Sequence, residues 1–217
     1  VHMGAYSQQA LHFNHLNVDN GLSQGVNTCV YKDSRGYVWI SSFDGLNRFN
    51  GSNVIIYRSN PADSSAIHGT LFLNILEDRE GNMWIGSNHG LNKYERVFNR
   101  FTHFSVTEKN EEDGFLSPFY IDDQNMIWLQ SGANIYTLDP KSNKIVHYCS
   151  LPTEGNMFIR MQAGALYQKA LNAYAVLNNG TTVFKVKIDA GKAPEISSRQ
   201  ILHPGITNIN CLDATAA

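Results

Sequence analysis

Apolar and polar residues alternate along this chain in short runs. "VNTCVYKD" (Val26–Asp33), "YVWISSF" (Tyr37–Phe43), "LNRFN" (Leu46–Asn50) and "VIIYRS" (Val54–Ser59) follow one another, separated by "SRG", "DG" and "GSN". Runs this short, rich in β-branched and aromatic residues and punctuated by Gly, Asn and Asp, predict β-strands joined by tight turns. No segment keeps a helical period for three turns, so the pattern predicts an all-β chain.

The pattern then repeats. "DSRGYVWISSFDGLNRF" (Asp33–Phe49) returns as "DREGNMWIGSNHGLNKY" (Asp78–Tyr94) with eight of seventeen positions identical. The three tryptophans, Trp39, Trp84 and Trp128, stand 45 and 44 residues apart. Even spacing of that size suits the four-stranded blade of a β-propeller. In D-x-x-G (Asp33/Gly36, Asp78/Gly81) the carboxylate is expected to accept a backbone N–H of the turn, and Gly to take the positive φ that closes it. Asn125 replaces the glycine in "DDQNM" and is the next residue to tolerate that conformation. A Ca²⁺ loop is the alternative, and it would need several more oxygen ligands. A Trp at the same place in each unit is expected to fill the gap between neighbouring blades; a sugar-stacking role is the alternative.

The blades are placed at about 25–59, 70–106, 115–150 and 156–203. Unit four keeps four strand-like runs but lacks the Trp and the D-x-x-G. Residues 13–16 ("FNHL") read as the outer strand of a closing blade, and 205–213 as the first strand of a further one. The whole is a partial ring of about four blades. Residues 1–12, with "VHMGA" resembling a tag remnant, read as tag and mature N-terminus.

Composition narrows the function. A net charge of −2 argues against a dedicated nucleic-acid binder, and no stretch approaches the length of a membrane helix. Cys29, Cys149 and Cys211 lack metal-type spacing and read as buried thiols. His12 and His15 point to opposite faces of a strand, which separates them as metal ligands. Glu111 and Glu112 lie in a polar loop. None of the common catalytic or nucleotide-binding motifs is present. No catalytic residue, metal or cofactor is therefore expected.

If a ligand binds, propeller geometry says where. Loops from second to third strands, and linkers between blades, gather on one face. The first kind holds Phe43, Asp44, Asn88, His89 and Gly132 to Asn134; the second holds Asn20, His68 and Asp113. Phe43/Asp44 become Asn88/His89 inside an otherwise constant repeat. Polar side chains with an aromatic suit a sugar, so Phe43, Asp44, His68, Asn88, His89 and Asn134 are the candidate ligand residues. Tolerant loop tips are the alternative.

"HLNVDNGLSQGVNTCVYKDSRGYVWISSFDGLNRFNG" (from His15) and "LNILEDREGNMWIGSNHGLNKY" (from Leu73) resemble the two-component regulator propeller repeat. The resemblance is strong from Phe13 to Phe104, moderate from Phe115 to Tyr148 and weak beyond. It implies the periplasmic sensor of a hybrid histidine kinase that responds to glycans or their breakdown products and regulates polysaccharide-utilisation genes. It also implies further propeller blades, an Ig-like domain and a membrane helix in the whole receptor. Open blade edges add an expectation of self-association, as a homodimer. The alternatives are a propeller-fold polysaccharide lyase or hydrolase, and a protein-interaction propeller.

Overall fold

The computed structural model describes residues 15–106 and 114–150 in full, and the backbone of four strands between 159 and 201. Four antiparallel sheets of four strands follow in chain order. The first is β1 (Asn27–Lys32), β2 (Val38–Ser42), β3 (Leu46–Phe49) and β4 (Val54–Tyr57). The second is β5 (Phe72–Glu77), β6 (Met83–Ser87), β7 (Gly90–Glu95) and β8 (Arg100–Phe104). The third is β9 (Ser117–Ile121), β10 (Ile127–Ser131), β11 (Asn134–Asp139) and β12 (Lys144–Ser150). The fourth is β13 (Ile159–Tyr167), β14 (Ala170–Leu177), β15 (Thr182–Asp189) and β16 (Glu195–Ile201). Each sheet is a simple meander. First strands lie side by side: β5 touches β1 and β9, and β13 touches β9. That is the packing of propeller blades around an axis, so the fold is an all-β partial propeller.

His15 and Leu16 lie in no strand. The rest of the supposed outer strand, Phe13 and Asn14, and the run 205–213 fall outside the described residues.

Every tryptophan sits on the second strand of its blade. Trp39 and Trp84 are fully buried and Trp128 nearly so. Trp39 joins Leu46 of its own blade to Ile75, Ile85, Tyr94 and Phe101 of the next. Trp84 joins Leu91 to Leu116, Ile127 and Leu129 of the third blade. A fourth-strand aromatic meets each indole: Tyr57 at 6.0 Å, Phe104 at 5.5 Å and Tyr148 at 4.8 Å between ring centroids. The strand register sets a cation against two of them, Trp39 pairing with Arg48 and Trp84 with Lys93. Lys93 Nζ stands 5.3 Å from the Trp84 ring. The inter-blade role expected of tryptophan is therefore what the packing shows.

The D-x-x-G turns form as their sequence predicts, with φ +87° at Gly36, +82° at Gly81 and +66° at Asn125. The carboxylate does more than close the turn. Asp33 Oδ1 accepts from the N–H groups of Arg35 and Tyr37, both at 2.9 Å, while Oδ2 accepts from Trp39 Nε1 at 2.7 Å. Asp78 accepts from Asn82 N and, at 2.8 Å, from Trp84 Nε1. Asp122 accepts from the N–H groups of Gln124 and Met126 and, at 3.0 Å, from Trp128 Nε1. One buried carboxylate thus ties the β1–β2 type of turn to the indole that packs between blades.

The turns are also stitched to each other. Arg96, between β7 and β8, reaches Asp33 Oδ2 and Glu77 Oε1, both at 2.8 Å, and the Gly81 carbonyl. Arg96, Asp33 and Glu77 are all buried at their side chains. Ser34 donates its N–H and hydroxyl to Glu77, at 2.7 and 2.6 Å. Asn125 Oδ1 accepts from Arg79 N at 3.1 Å and its Nδ2 donates to Glu80. All these connections stand at one end of the blades, called here the turn face.

Asp33→Ala removes the acceptor of the Trp39 N–H and one of the two carboxylates that hold the Arg96 guanidinium, in a dry site. Removing one partner of a buried ion pair typically costs about 3–5 kcal/mol. A loss of that order in urea denaturation is expected, against under about 0.5 kcal/mol for an exposed control such as Arg35→Ala.

Acid should reach the same site. Burial raises the Asp33 carboxyl, but the hydrogen bonds from Trp39, Arg96 and Tyr37 outweigh it and hold the group below its ordinary 3.8. A depressed carboxylate contributes its full stability above the unfolded value near 4 and loses it as pH falls through the lower folded value. The stability gap between the wild type and Asp33→Asn should therefore be constant from pH 7 to about pH 5 and shrink below about pH 4. Urea midpoints across that range measure it.

Candidate functional site

Opposite the turn face lie the second-to-third-strand hairpins and the blade linkers. Their construction repeats. Ser42 Oγ donates to the Gly45 carbonyl at 2.8 Å, and the Asp44 N–H reaches Ser42 Oγ at 3.3 Å. In the next blade Ser87 Oγ donates to the Gly90 carbonyl at 3.0 Å, and the His89 N–H reaches Ser87 Oγ at 3.2 Å. Gly90 has φ +91°, and a Cβ there would lie 2.4 Å from the Phe104 carbonyl oxygen, so only glycine fits.

The Leu-Asn that follows each of these glycines is explained by the linkers. Asn47 is buried, accepts the Ser23 N–H at 2.8 Å and donates to the Ile40 carbonyl at 3.0 Å. Asn92 does the same for the next linker. It accepts the His68 N–H at 2.8 Å and donates to the His68 carbonyl at 2.9 Å. The third blade carries Tyr136 at this place, and β11 there departs from regular pairing between Ile135 and Tyr136.

On this scaffold the candidate residues take different parts. Phe43 is 47% exposed and Asp44 projects beside it, bonded to Arg58 Nη2 at 2.9 Å and Nε at 3.3 Å. The result is an aromatic edge next to an exposed carboxylate–guanidinium pair, which offers both acceptors and donors to hydroxyl groups. Arg58 lies just beyond β4, outside the repeated motif, and the sequence pattern does not single it out.

His89 is exposed at the tip of the equivalent hairpin. Asn88 instead spends its amide on the linker. Oδ1 accepts from Thr70 N at 3.0 Å and Leu71 N at 3.1 Å, and Nδ2 donates to Thr70 Oγ1 at 3.3 Å. His68 is half-buried with its ring 4.5 Å from that of His103 on β8. Asn134 opens β11, and its Oδ1 accepts from Ser150 Oγ at 2.7 Å. The β10–β11 loop is accordingly only Gly132 and Ala133. Asn20 closes a short 3₁₀ turn, Val18–Asn20, by exchanging hydrogen bonds with Asn17. Asp113 lies outside the described residues. The structure thus places Phe43, Asp44 and His89 as open tips of adjacent blades, and Asn88, His68 and Asn134 as residues that also hold the face together. Among the described residues no group of three or more metal-ligating side chains converges.

Comparison with known proteins agrees with the repeat. Residues 21–44 and 67–89 match the family model described as two component regulator propeller. A stretch of 48 residues is 44% identical to Histidine kinase P4 of Formosa agariphila, covering 22% of this chain and 4% of that protein. Among solved structures, the extracellular domain of the hybrid two component system BT3049 from B. thetaiotaomicron aligns with a TM-score of 0.68 at 20% identity, over 89% of this chain and 27% of that one. Virginiamycin B lyase from Staphylococcus aureus aligns with a TM-score of 0.56 at 13% identity, over 79% of this chain and 55% of that one. At these identities the two structures share the fold alone. This chain therefore spans a small part of the kinase and about a quarter of the extracellular domain. In both its signature and its geometry, the segment formed by residues 21–44 and 67–89 resembles a pair of two-component regulator propeller repeats.

Proposed function

We propose that this chain is a ligand-sensing propeller segment of an extracytoplasmic, periplasmic receptor of the hybrid two-component kind, and that its ligand is a glycan or oligosaccharide. The observation that carries the reading is the constant hairpin with a variable tip. Ser42 and Ser87 fix the two loops by the same hydrogen bonds, while the tips change from Phe43-Asp44 to Asn88-His89. A scaffold that holds its loops identically and varies their tips suits recognition, because side chains change without disturbing the backbone. Phe43 supplies a stacking surface; Asp44 and Arg58 supply the acceptors and donors that orient hydroxyls. In this reading the segment binds rather than turns over its ligand. The remaining blades and an Ig-like domain carry the signal to a histidine kinase that regulates polysaccharide-utilisation genes.

A second copy is the proposed homodimer partner. The face of the first blade turned away from the second carries Val30, Val38, Phe49 and Val54, by strand alternation from the inward-facing Trp39 and Leu46. Val30 is 65% exposed there.

Two measurements test these readings. In calorimetric titration with a panel of plant and host oligosaccharides, at least one should bind, and Asp44→Ala or Arg58→Ala should weaken it about tenfold or more, the scale of losing a charged hydrogen-bond partner. Unchanged affinity in both variants would move recognition elsewhere, and turnover of any sugar would favour a lyase or hydrolase. On a sizing column with light scattering, twice the 24.3 kDa chain mass is expected, with Val30→Asp shifting it toward the monomer. A monomer at high concentration would reject the dimer.

A further inference from the structure

The linkers into the first two blades share one frame. Asn47 and Asn92 accept the N–H groups of Ser23 and His68 in the same way, and Asn27 pairs with Ser42 as Phe72 pairs with Ser87. Each linker therefore runs beside the tip of its own hairpin. In the second blade it closes onto that tip. The N–H groups of Thr70 and Leu71 both donate to Asn88 Oδ1, at 3.0 and 3.1 Å. Gly69 permits the approach: it has φ +110°, and a Cβ there would lie 2.7 Å from Ser87 Cβ and 3.0 Å from Asn88 Oδ1.

The first blade lacks both parts of this closure. At the repeat spacing of 45 residues, Gln24 stands for Gly69, Gly25 and Val26 for Thr70 and Leu71, and Phe43 for Asn88. Gln24 takes no positive φ and carries the Cβ that the close approach excludes. Phe43 offers no oxygen in place of the carboxamide. The N–H groups of Gly25 and Val26 accordingly donate to no protein acceptor. In the same linker, Gln24 Oε1 is buried and accepts from no protein donor. Buried polar atoms are normally paired, so this one marks a place built for a further partner. Val26 and Phe43, 52% and 47% exposed, add two apolar side chains beside these groups.

We propose that the place between linker and hairpin in the first blade is a subsite for the acetamido group of an N-acetylated amino sugar, an inference that rests on the sugar-binding reading of the hairpin tips. The second blade satisfies two linker N–H groups with an amide oxygen of its own chain. The first blade offers the equivalent pair to the amide oxygen of a ligand. The acetamido N–H supplies the donor that Gln24 Oε1 lacks, and its methyl group meets Phe43 and Val26. A carboxylate suits the site less. The oxygen at the equivalent place belongs to a neutral amide, and the exposed Asp44 carboxylate next to Phe43 opposes a second negative charge.

Calorimetric titration with matched sugars tests it. N-acetyllactosamine is set against lactose, and N,N′-diacetylchitobiose against cellobiose; within each pair only acetamido and hydroxyl groups are exchanged. At least one acetamido sugar should bind about tenfold or more tighter than its counterpart, the scale of losing two neutral hydrogen bonds. In nitrogen–proton NMR the backbone signals of Gly25 and Val26 should move on binding. The double variant Gln24→Gly, Phe43→Asn gives the first blade the residues by which the second closes. Its preference should shrink to about twofold or less, with an unchanged melting midpoint. Equal binding within both pairs, binding that leaves Gly25 and Val26 unmoved, or a variant that keeps the full preference overturns the proposal. So does tighter binding of glucuronic acid at the same N–H groups. If the pairs bind equally while affinity still depends on Asp44 and Arg58, the acetamido subsite falls and sugar sensing stands; if no sugar binds at all, both fall.

Discussion

The bond between a turn carboxylate and an indole N–H is the constraint on which the rest of this structure rests. In three successive blades an Asp closes the first turn with one oxygen and holds a Trp six residues later with the other. Burying an indole normally leaves its N–H in need of an acceptor. Burying a carboxylate without donors is more costly still. Each group therefore makes the other's burial tolerable. The Trp position is fixed relative to the turn, the blade-to-blade gap is filled at a constant place, and the next blade inherits its seat.

From that seat the two ends of the blades diverge in character. On the turn face, Arg96, Glu77, Ser34 and Asn125 run bonds from blade to blade, so the turns form a joined polar layer. At the other end the bonds stay mostly within the hairpin or between a hairpin and its own linker. Ser42, Ser87, Asn47 and Asn92 hold the backbone and leave the tips Phe43, Asp44 and His89 open. One end is committed to stability. The other is free to vary, and the proposed recognition of sugars is placed there for that reason.

What the sequence reveals follows the same division. The strands, the propeller class, the positive-φ turns and the place of each Trp are legible because they recur, and recurrence exposes a structural rule within a single chain. The Asp–Trp bond recurs too, at a spacing of six residues, but Asp and Trp are each explained separately by turn and packing, so nothing in the pattern demands the link. Single events leave no such trace. Arg96 joining two blades and Arg58 joining Asp44 are tertiary pairings of residues that no other unit repeats. Asn88 looks like a loop residue open to ligand, yet its amide secures Thr70 and Leu71. Asn134 looks like a loop residue as well, but pairing of Ser131 with Asn134 draws it into β11.

Hydrogen exchange at the three indole N–H groups, followed by nitrogen–proton NMR, probes this account at its base. The chain holds three tryptophans, so three indole signals are expected, each reporting one Asp–Trp bond. The signals of Trp39 and Trp84 should persist in D₂O and exchange only through opening of their blades, and each should lose its protection when its own Asp (Asp33 or Asp78) is changed to Ala. Exchange of either indole at the rate of free tryptophan in the intact protein would contradict it.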